Sequence, residues 1–358
     1  MPSLHKYLLK ELFKLFFIIQ SIILILFVFI EYLSKMDRFL NSDITLVGAL
    51  WYVILEIPFM FVQVAPASVL LANIFVFGLM NRNNELLALQ SSGISTYLLI
   101  RPALFSGLIL AVTMFLLGEI LVPLSMTKVH YIKNTVIQKN NNITQTRKNI
   151  WIKSDRKLIH FNFYDRINKS VSGITVISMG EGFQPEYRLD AKTGYYKDGN
   201  WIFENSIQQI YNHETQEYDV LQFDKKTIEA DIKPEDIGQL VKKSEEMGFF
   251  ELKKYVEKVK NEGYDATTYV VDLYGKMAFP FICFIMALTG AATGMRPFSK
   301  VSLPRAITMG IIISFMYWFI HGFFMSLGYG SFLPPFLAAW LTNLFFLCFG
   351  IIYLLTTE

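Results

Sequence analysis

Six long apolar runs punctuate the chain, at about 12–34, 48–80, 98–122, 269–295, 306–327 and 333–356. A helix crossing ~30 Å of hydrocarbon needs roughly 20 mostly apolar residues, because lipid offers the backbone no hydrogen-bond partner and each turn must satisfy itself. All six runs meet that length, three before a long polar block and three after it. The second run is overlong: at ~1.5 Å per residue it reaches about 50 Å. It either tilts and kinks at Pro58 and Pro66 or lays its first turns along the interface.

Between the two sets the period changes from helical to alternating. Short stretches rich in Ile, Val, Phe, Tyr and Trp occur at 150–154, 158–164, 174–179, 186–196, 200–211 and 217–230, which predicts β-strands. Turn signals such as Asp198-Gly199-Asn200 separate them, and their even spacing predicts an all-β sandwich or jelly roll. Pro234 ends the strand series, and 248–265 reads as an amphipathic helix stopped by Gly263 that leads into the fourth run.

Composition agrees: 53% apolar and 15% aromatic residues, with a mean hydropathy of +0.37, exceed the usual soluble share of about 45–50% apolar. About two-thirds of the 33 basic and 30 acidic side chains fall within 128–266. That layout excludes a soluble enzyme, a disordered tail protein and a free nucleic-acid binder. Orientation follows from basic residues in short connections. Lys6, Lys10 and Lys14 precede the first run, Arg82 and Arg101 flank the second connection, and Arg296, Lys300 and Arg305 flank the fifth. The opposite short connections carry only Lys35 and Arg38, so both termini are expected in the cytoplasm and residues 124–268 outside. No small-residue cleavage site follows the first run, which reads as a retained anchor.

Sites for chemistry are missing from the sequence. There is no phosphate loop, no H-E-x-x-H and no G-x-S-x-G, and the histidines at 5, 130, 160, 213 and 321 have no metal spacing. Cys283 and Cys348 lie in apolar runs and read as small buried hydrophobes. No catalytic residue, metal site or cofactor bound by this chain is expected.

One connection stands out. In NRNNELLALQSSGIS, at 81–95, Asn83 or Asn84 can cap a helix, Glu85 sits in its positive first turn, Leu86, Leu87 and Leu89 supply an apolar side, and Gly93 can end it. A short helix over about 84–92 is expected there, although a plain solvated connector fits as well. The segment resembles the coupling loop of the lipopolysaccharide export permeases, the LptF/LptG family. Further matches lie in register: GEILVP at 118–123, IWIKSDRKLIHFNFYD at 150–165 in the manner of the LptG branch, YGKMAFP at 274–280 and LPPFLAAWLTN at 333–343. The likeness covers essentially the whole chain and is greatest to LptG.

That resemblance implies an α+β membrane protein of six transmembrane helices, arranged three plus three, with an inserted periplasmic β-jelly-roll-like domain. Residues 1–123 would hold spans one to three, 124–268 the periplasmic domain and 269–358 spans four to six. It implies the permease subunit of an ABC transporter in a Gram-negative inner membrane. The partners would be an LptB-like ATPase dimer that uses the ATP, an LptF-like second half, and LptC-like and LptA-like periplasmic bridge proteins. Glu85, with Leu86 and Leu89, would engage a groove on the ATPase. Lipopolysaccharide phosphates would meet Lys35, Arg38, Lys128, His130, Lys133 and Lys276, and Tyr317, Trp318 and Phe324 would line the lipid cavity. Each has a plainer reading: the bases can snorkel to the interface, Lys276 can pair with Asp272 four residues away, and the aromatics can face lipid. Glu31 departs from the family, an acid where a lysine is common. A competing class is a non-transporting mechanotransmitter that couples a cytoplasmic ATPase to a periplasmic partner. A secondary transporter has only Glu56, near Pro58, as a foothold.

Overall fold

A computed structural model describes residues 2–42, 44–133, 150–154, 157–165, 170–180, 185–197, 200–212, 217–228, 243–261, 265–296 and 303–356. The expected turn at 198–199, Pro234 and Gly263 fall outside them. The chain divides into two compact units, one of residues 1–40, 44–130 and 244–358, the other of 41–43 and 131–243.

The first unit contains helices α1 (Pro2–Ser34), α2 (Met36–Leu40), α3 (Leu46–Arg82), α4 (Glu85–Ser91), α5 (Thr96–Ile132), α6 (Phe249–Asn261), α7 (Thr267–Gly294), α8 (Leu303–Tyr329) and α9 (Pro335–Leu355). Six of them, α1, α3, α5, α7, α8 and α9, are long and apolar enough to cross a membrane. The overlong second run is a single helix of 37 residues with Pro58 and Pro66 both inside it. A proline removes one rung of the backbone ladder. In the turn before Pro66, the Phe61 carbonyl accepts a hydrogen bond from Nε2 of the buried Gln20, at 2.9 Å, which ties α1 to α3.

Helix α7 is the most enclosed and packs on α3, α8 and α9. Small residues make that possible. A Cβ on Gly290 would stand 2.6 Å from the Leu70 carbonyl oxygen of α3, and one on Gly107 of α5 would stand 2.7 Å from the Ala287 Cβ of α7. Lipid tails are as apolar as leucine, so close backbone approach, and not water exclusion, holds such helices together. Several polar groups inside the bundle bond to carbonyls, as Asn73 does within its helix to Val69 and Asn343 does across helices to Ala278 at 2.6 Å.

The second unit is a six-stranded antiparallel sheet: β1 (Ile150–Ser154), β2 (Lys157–Asp165), β3 (Ser170–Met179), β4 (Pro185–Lys197), β5 (Asn200–Asn212) and β6 (Glu217–Ile228). The strand count agrees with the sequence and the connectivity is simpler. Each strand pairs with its sequence neighbours in the order β1-β2-β3-β4-β5-β6. A jelly roll needs strands that pair out of order, and none of the six described strands does so.

A core forms nevertheless, because the sheet is creased. Buried positions alternate by two along a strand but step by three at one place: Val171 to Ile174, Ala191 to Gly194, and Phe203 to Ser206. At that line the ladder omits Asn162, Gly173, Lys192, Asn205 and Asp224, while pairing continues in the same register on both sides. Gly173 (φ 63°) and Asn205 (φ 51°) adopt the left-handed conformation that flips the facing of the next residue. Apolar side chains from both sides of the crease therefore share one cluster, in which Trp201 lies 6.2 Å from Phe161 and stacks on Phe203. One folded sheet does the work expected of two packed ones.

Candidate functional site

Helix α4 closes the α3–α5 connection. Its end is a full C-terminal motif: Gly93 N–H donates to the Gln90 carbonyl, Ile94 N–H to the Leu89 carbonyl, and Gly93 takes φ 83°. Leu89 and Ile94, the two apolar positions that accompany this motif, pack on the same cluster beneath. The N-terminus is looser. Asn84 is left-handed at φ 58° with no side-chain cap, while the Asn83 amide donates to Glu85 at 3.2 Å.

The facing of α4 corrects one expectation. Leu86 is only 3% exposed and, with the half-buried Leu89, packs inward against Val76, Phe77, Met80, Leu99 and Ile100. Leu86 is closed into its own bundle, and Leu89 keeps part of its surface open while it packs on the same cluster. The outward surface carries Glu85, Leu87, Gln90 and Ser91, with Leu87 63% exposed. Positions 86 and 89 share a helix face, and a helix this short between two packed spans must bury that face. The signal for Leu87 was present in the spacing.

At the opposite ends of α1 and α3, Lys35 is fully engaged. Its ammonium donates to both carboxylate oxygens of Glu56, at 2.6 and 2.8 Å, contacts Glu31 at 2.6 Å and lies 4.8 Å above the Tyr52 ring. Burial pulls its pKa down, but the hydrogen bonds to Glu31 and Glu56 and the charge of Glu56 outweigh that and hold it above the usual lysine value. Arg38, on α2, is exposed beside the buried Phe39, whose ring sits between Tyr32 and Tyr52. The structure thus places two carboxylates on the lysine expected to face phosphate.

The other expected bases differ among themselves. Lys128 is exposed near the end of α5, and neither it nor Arg38 makes an ion pair among the described residues. His130 Nε2 lies 3.5 Å from Glu245, close enough for a charge contact but without hydrogen-bond geometry. Lys133 is half-buried in the second unit. Lys276 does not form the direct pair with Asp272 that the spacing allows. Asp272 instead accepts from Tyr329 at 2.6 Å and from Ser244, and Lys276 sits half-buried in the field of Asp272, Glu119 and Glu245.

The aromatic residues of α8 split. Tyr317 is 1% exposed, stacked on His321 at 5.5 Å and edge-on to Phe346, so it belongs to the core and lines no open cavity. Trp318 is 38% exposed, and Phe324 is half-buried. Glu119, in the motif at 118–123, has a role that no local signal announces: its carboxylate accepts backbone N–H bonds from Phe249 and Phe250, the first residues of α6. Its partners lie some 130 residues away.

A family model described as "Lipopolysaccharide export system permease LptF/LptG" matches residues 6–356. The chain is similar to the lipopolysaccharide export system permease protein LptG of Escherichia coli K12, at 19% identity over 345 residues, which covers 95% of this chain and 94% of that protein. LptG of E. coli O6:H1 matches to the same extent. An uncharacterised protein of Rickettsia prowazekii is 23% identical over 189 residues, 50% of this chain and 52% of that protein.

Proposed function

We propose a working mechanism for this chain, which belongs to the LptF/LptG family of lipopolysaccharide export permeases and is a multi-pass membrane subunit of that export system. In our reading it is the LptG-like half. It pairs with an LptF-like half, binds one subunit of a cytoplasmic ATPase dimer, and moves lipopolysaccharide from the inner membrane towards LptC-like and LptA-like bridge proteins. Both termini lie in the cytoplasm and the β unit in the periplasm.

The observation that carries this reading is the two-faced α4. Leu86 and Leu89 fasten it to the bundle, so a push on its outer face moves α3 and α5 with it. Glu85 offers a charge in the first turn and Leu87 an apolar contact, a pairing suited to a groove with a basic wall. ATP-driven closure of the ATPase pair would then shift the ends of two spans and narrow the cavity between the permease halves.

The substrate brings phosphates and acyl chains. Arg38 and Lys128 meet the phosphates through charge-assisted hydrogen bonds, Lys276 adds a half-buried cation, and Lys35 joins only when it leaves Glu31 and Glu56. The exposed faces of α1, α5 and α8, which bear Phe29, Ile120, Phe315 and Phe319 among others, lie against lipid, acyl chain or the second half. In the β unit Ile159, Phe161 and Trp201 are closed into the core, and the exposed apolar side chains Ile207, Val220 and Leu221 offer acyl carbons shelter from water, where each exposed CH₂ costs roughly 0.8 kcal/mol.

The test is reconstitution of this chain with its partner half and ATPase in liposomes, following lipopolysaccharide release against ATP. Glu85→Arg is expected to abolish both ATPase co-purification and release. Wild-type rates and recovery in that variant would remove α4 from the mechanism.

A further inference from the structure

Residues Ser244–Asn261, where the chain returns from the second unit to the first, are hydrogen-bonded to spans at two points and lie beside a third group, His130, at 3.5 Å. Ser244 donates to Asp272 of α7, Glu245 lies beside His130 of α5, and Glu119 of α5 takes the first two N–H groups of α6. The Glu119 contact is a built seat. The opening N–H groups of a helix have no partner of their own, and a carboxylate there satisfies them and the positive end of the helix dipole. Here that carboxylate comes from a different helix and lies directly against Gly248: a Cβ there would stand 2.7 Å from Glu119 Oε1 and 3.0 Å from the Glu119 carbonyl oxygen, so the carboxylate would have to shift.

Helix α5 begins five residues after α4 ends and runs from Thr96 to Ile132 as one helix. Glu119 therefore rides about 35 Å along it from the α4 end. We propose that Glu119 is a positioning residue for export: it clamps α6 onto α5, so that displacement received at α4 reaches the segment through which the β unit joins α7. An acid inside an apolar helix is costly, and an alanine would serve packing alone; the two backbone donors give the carboxylate its reason. This inference rests on the export reading and adds a specific transmission element to it.

The experiment uses the complete reconstituted exporter and reads lipopolysaccharide released per ATP hydrolysed. It compares wild type, Glu119→Ala, Glu119→Gln and Gly248→Ala, with hydrogen exchange at Phe249 and Phe250. Glu119→Ala and Gly248→Ala should hydrolyse ATP near the wild-type rate, release roughly five-fold less lipid per ATP, as expected when a cap is lost, and exchange faster at both amides. Glu119→Gln keeps one acceptor oxygen and should fall between. Unchanged release per ATP in the alanine variants overturns the proposal, as does a parallel fall of hydrolysis and release. If Glu119→Ala does not assemble, Gly248→Ala decides by the same two outcomes. A wild-type exporter that releases nothing on ATP addition overturns the export reading and this inference with it, whereas a working wild type with indifferent variants overturns only the role of Glu119.

Discussion

Lys35, in the turn between α1 and α2, and Glu56 of α3, 21 residues on, share a bidentate contact at 2.6 and 2.8 Å, with Glu31 as a second acid on the same ammonium. Three ionisable groups at the end of a membrane helix are stable only as a set. Removing one leaves a buried charge without compensation, which costs more than the intact set contributes.

Lys35→Met should therefore destabilise the purified chain by about 3–5 kcal/mol, whereas Lys35→Met with Glu56→Leu should recover most of that loss. Thermal unfolding in detergent reads both. The same pair has a pH signature. Because the folded pKa of Lys35 lies above the usual lysine value, its contribution is fully present below about pH 10.4 and is lost only as pH rises through the folded value. Wild type should show no loss from this group between neutrality and that limit. An equal alkaline stability curve for wild type and the double variant would contradict the assignment.

Helix α4 makes opposite predictions for adjacent leucines. Leu86→Ala should cost about 2–5 kcal/mol of stability because it empties a core position. Leu87→Ala should shift stability by no more than about 0.5 kcal/mol, yet lower the amount of ATPase that co-purifies. A Leu87 variant with full ATPase recovery, or a Leu86 variant as stable as wild type, would reverse the facing described above.

These residues also mark what the sequence makes legible. Six spans, a β insert and a short α4 ended by Gly93 followed from hydropathy period and local residues, since those are set by neighbours in the chain, whereas the expected asparagine side-chain cap of α4 does not form. The boundaries were short by a few turns in α5, which continues ten residues past the 98–122 run to Ile132 because polar residues at a helix end keep their ladder when they reach water. Long-range pairings were not legible. Nothing near Lys35 names Glu56, nothing near Glu119 names Phe249, and Asp272 prefers Tyr329 and Ser244 to the lysine four residues on. The crease was hidden because strand alternation predicts the faces of a flat sheet, and two residues in the left-handed region reassign them.

That crease gives a third prediction. Gly173 has φ 63° and an added Cβ would collide with the Asn162 side chain, so Gly173→Val should destabilise the β unit by about 2 kcal/mol or more. Asn205→Gly keeps the left-handed conformation and should change stability by only about 0.5 kcal/mol. Hydrogen exchange of β3 to β5 in the full chain reports the difference. Equal protection in the two variants would show that the sheet does not depend on its fold line.

The last prediction concerns the outer bases. Arg38 and Lys128 are exposed and make no ion pair among the described residues, whereas Lys35 starts from two carboxylates. A phosphate bound near Lys35 meets a set with one positive and two negative charges, so it gains little there until an acid is removed. Arg38→Glu and Lys128→Glu should each weaken lipopolysaccharide binding by roughly ten-fold, the worth of one charge-assisted hydrogen bond. Glu31→Gln should strengthen binding, because it leaves Lys35 a single acid and lowers the local negative charge. The measurement is binding of lipopolysaccharide to the assembled permease at low and high salt, with differences that shrink as salt screens them. If Glu31→Gln binds no better than wild type while Arg38→Glu and Lys128→Glu bind equally well, this end of the bundle does not receive the phosphates.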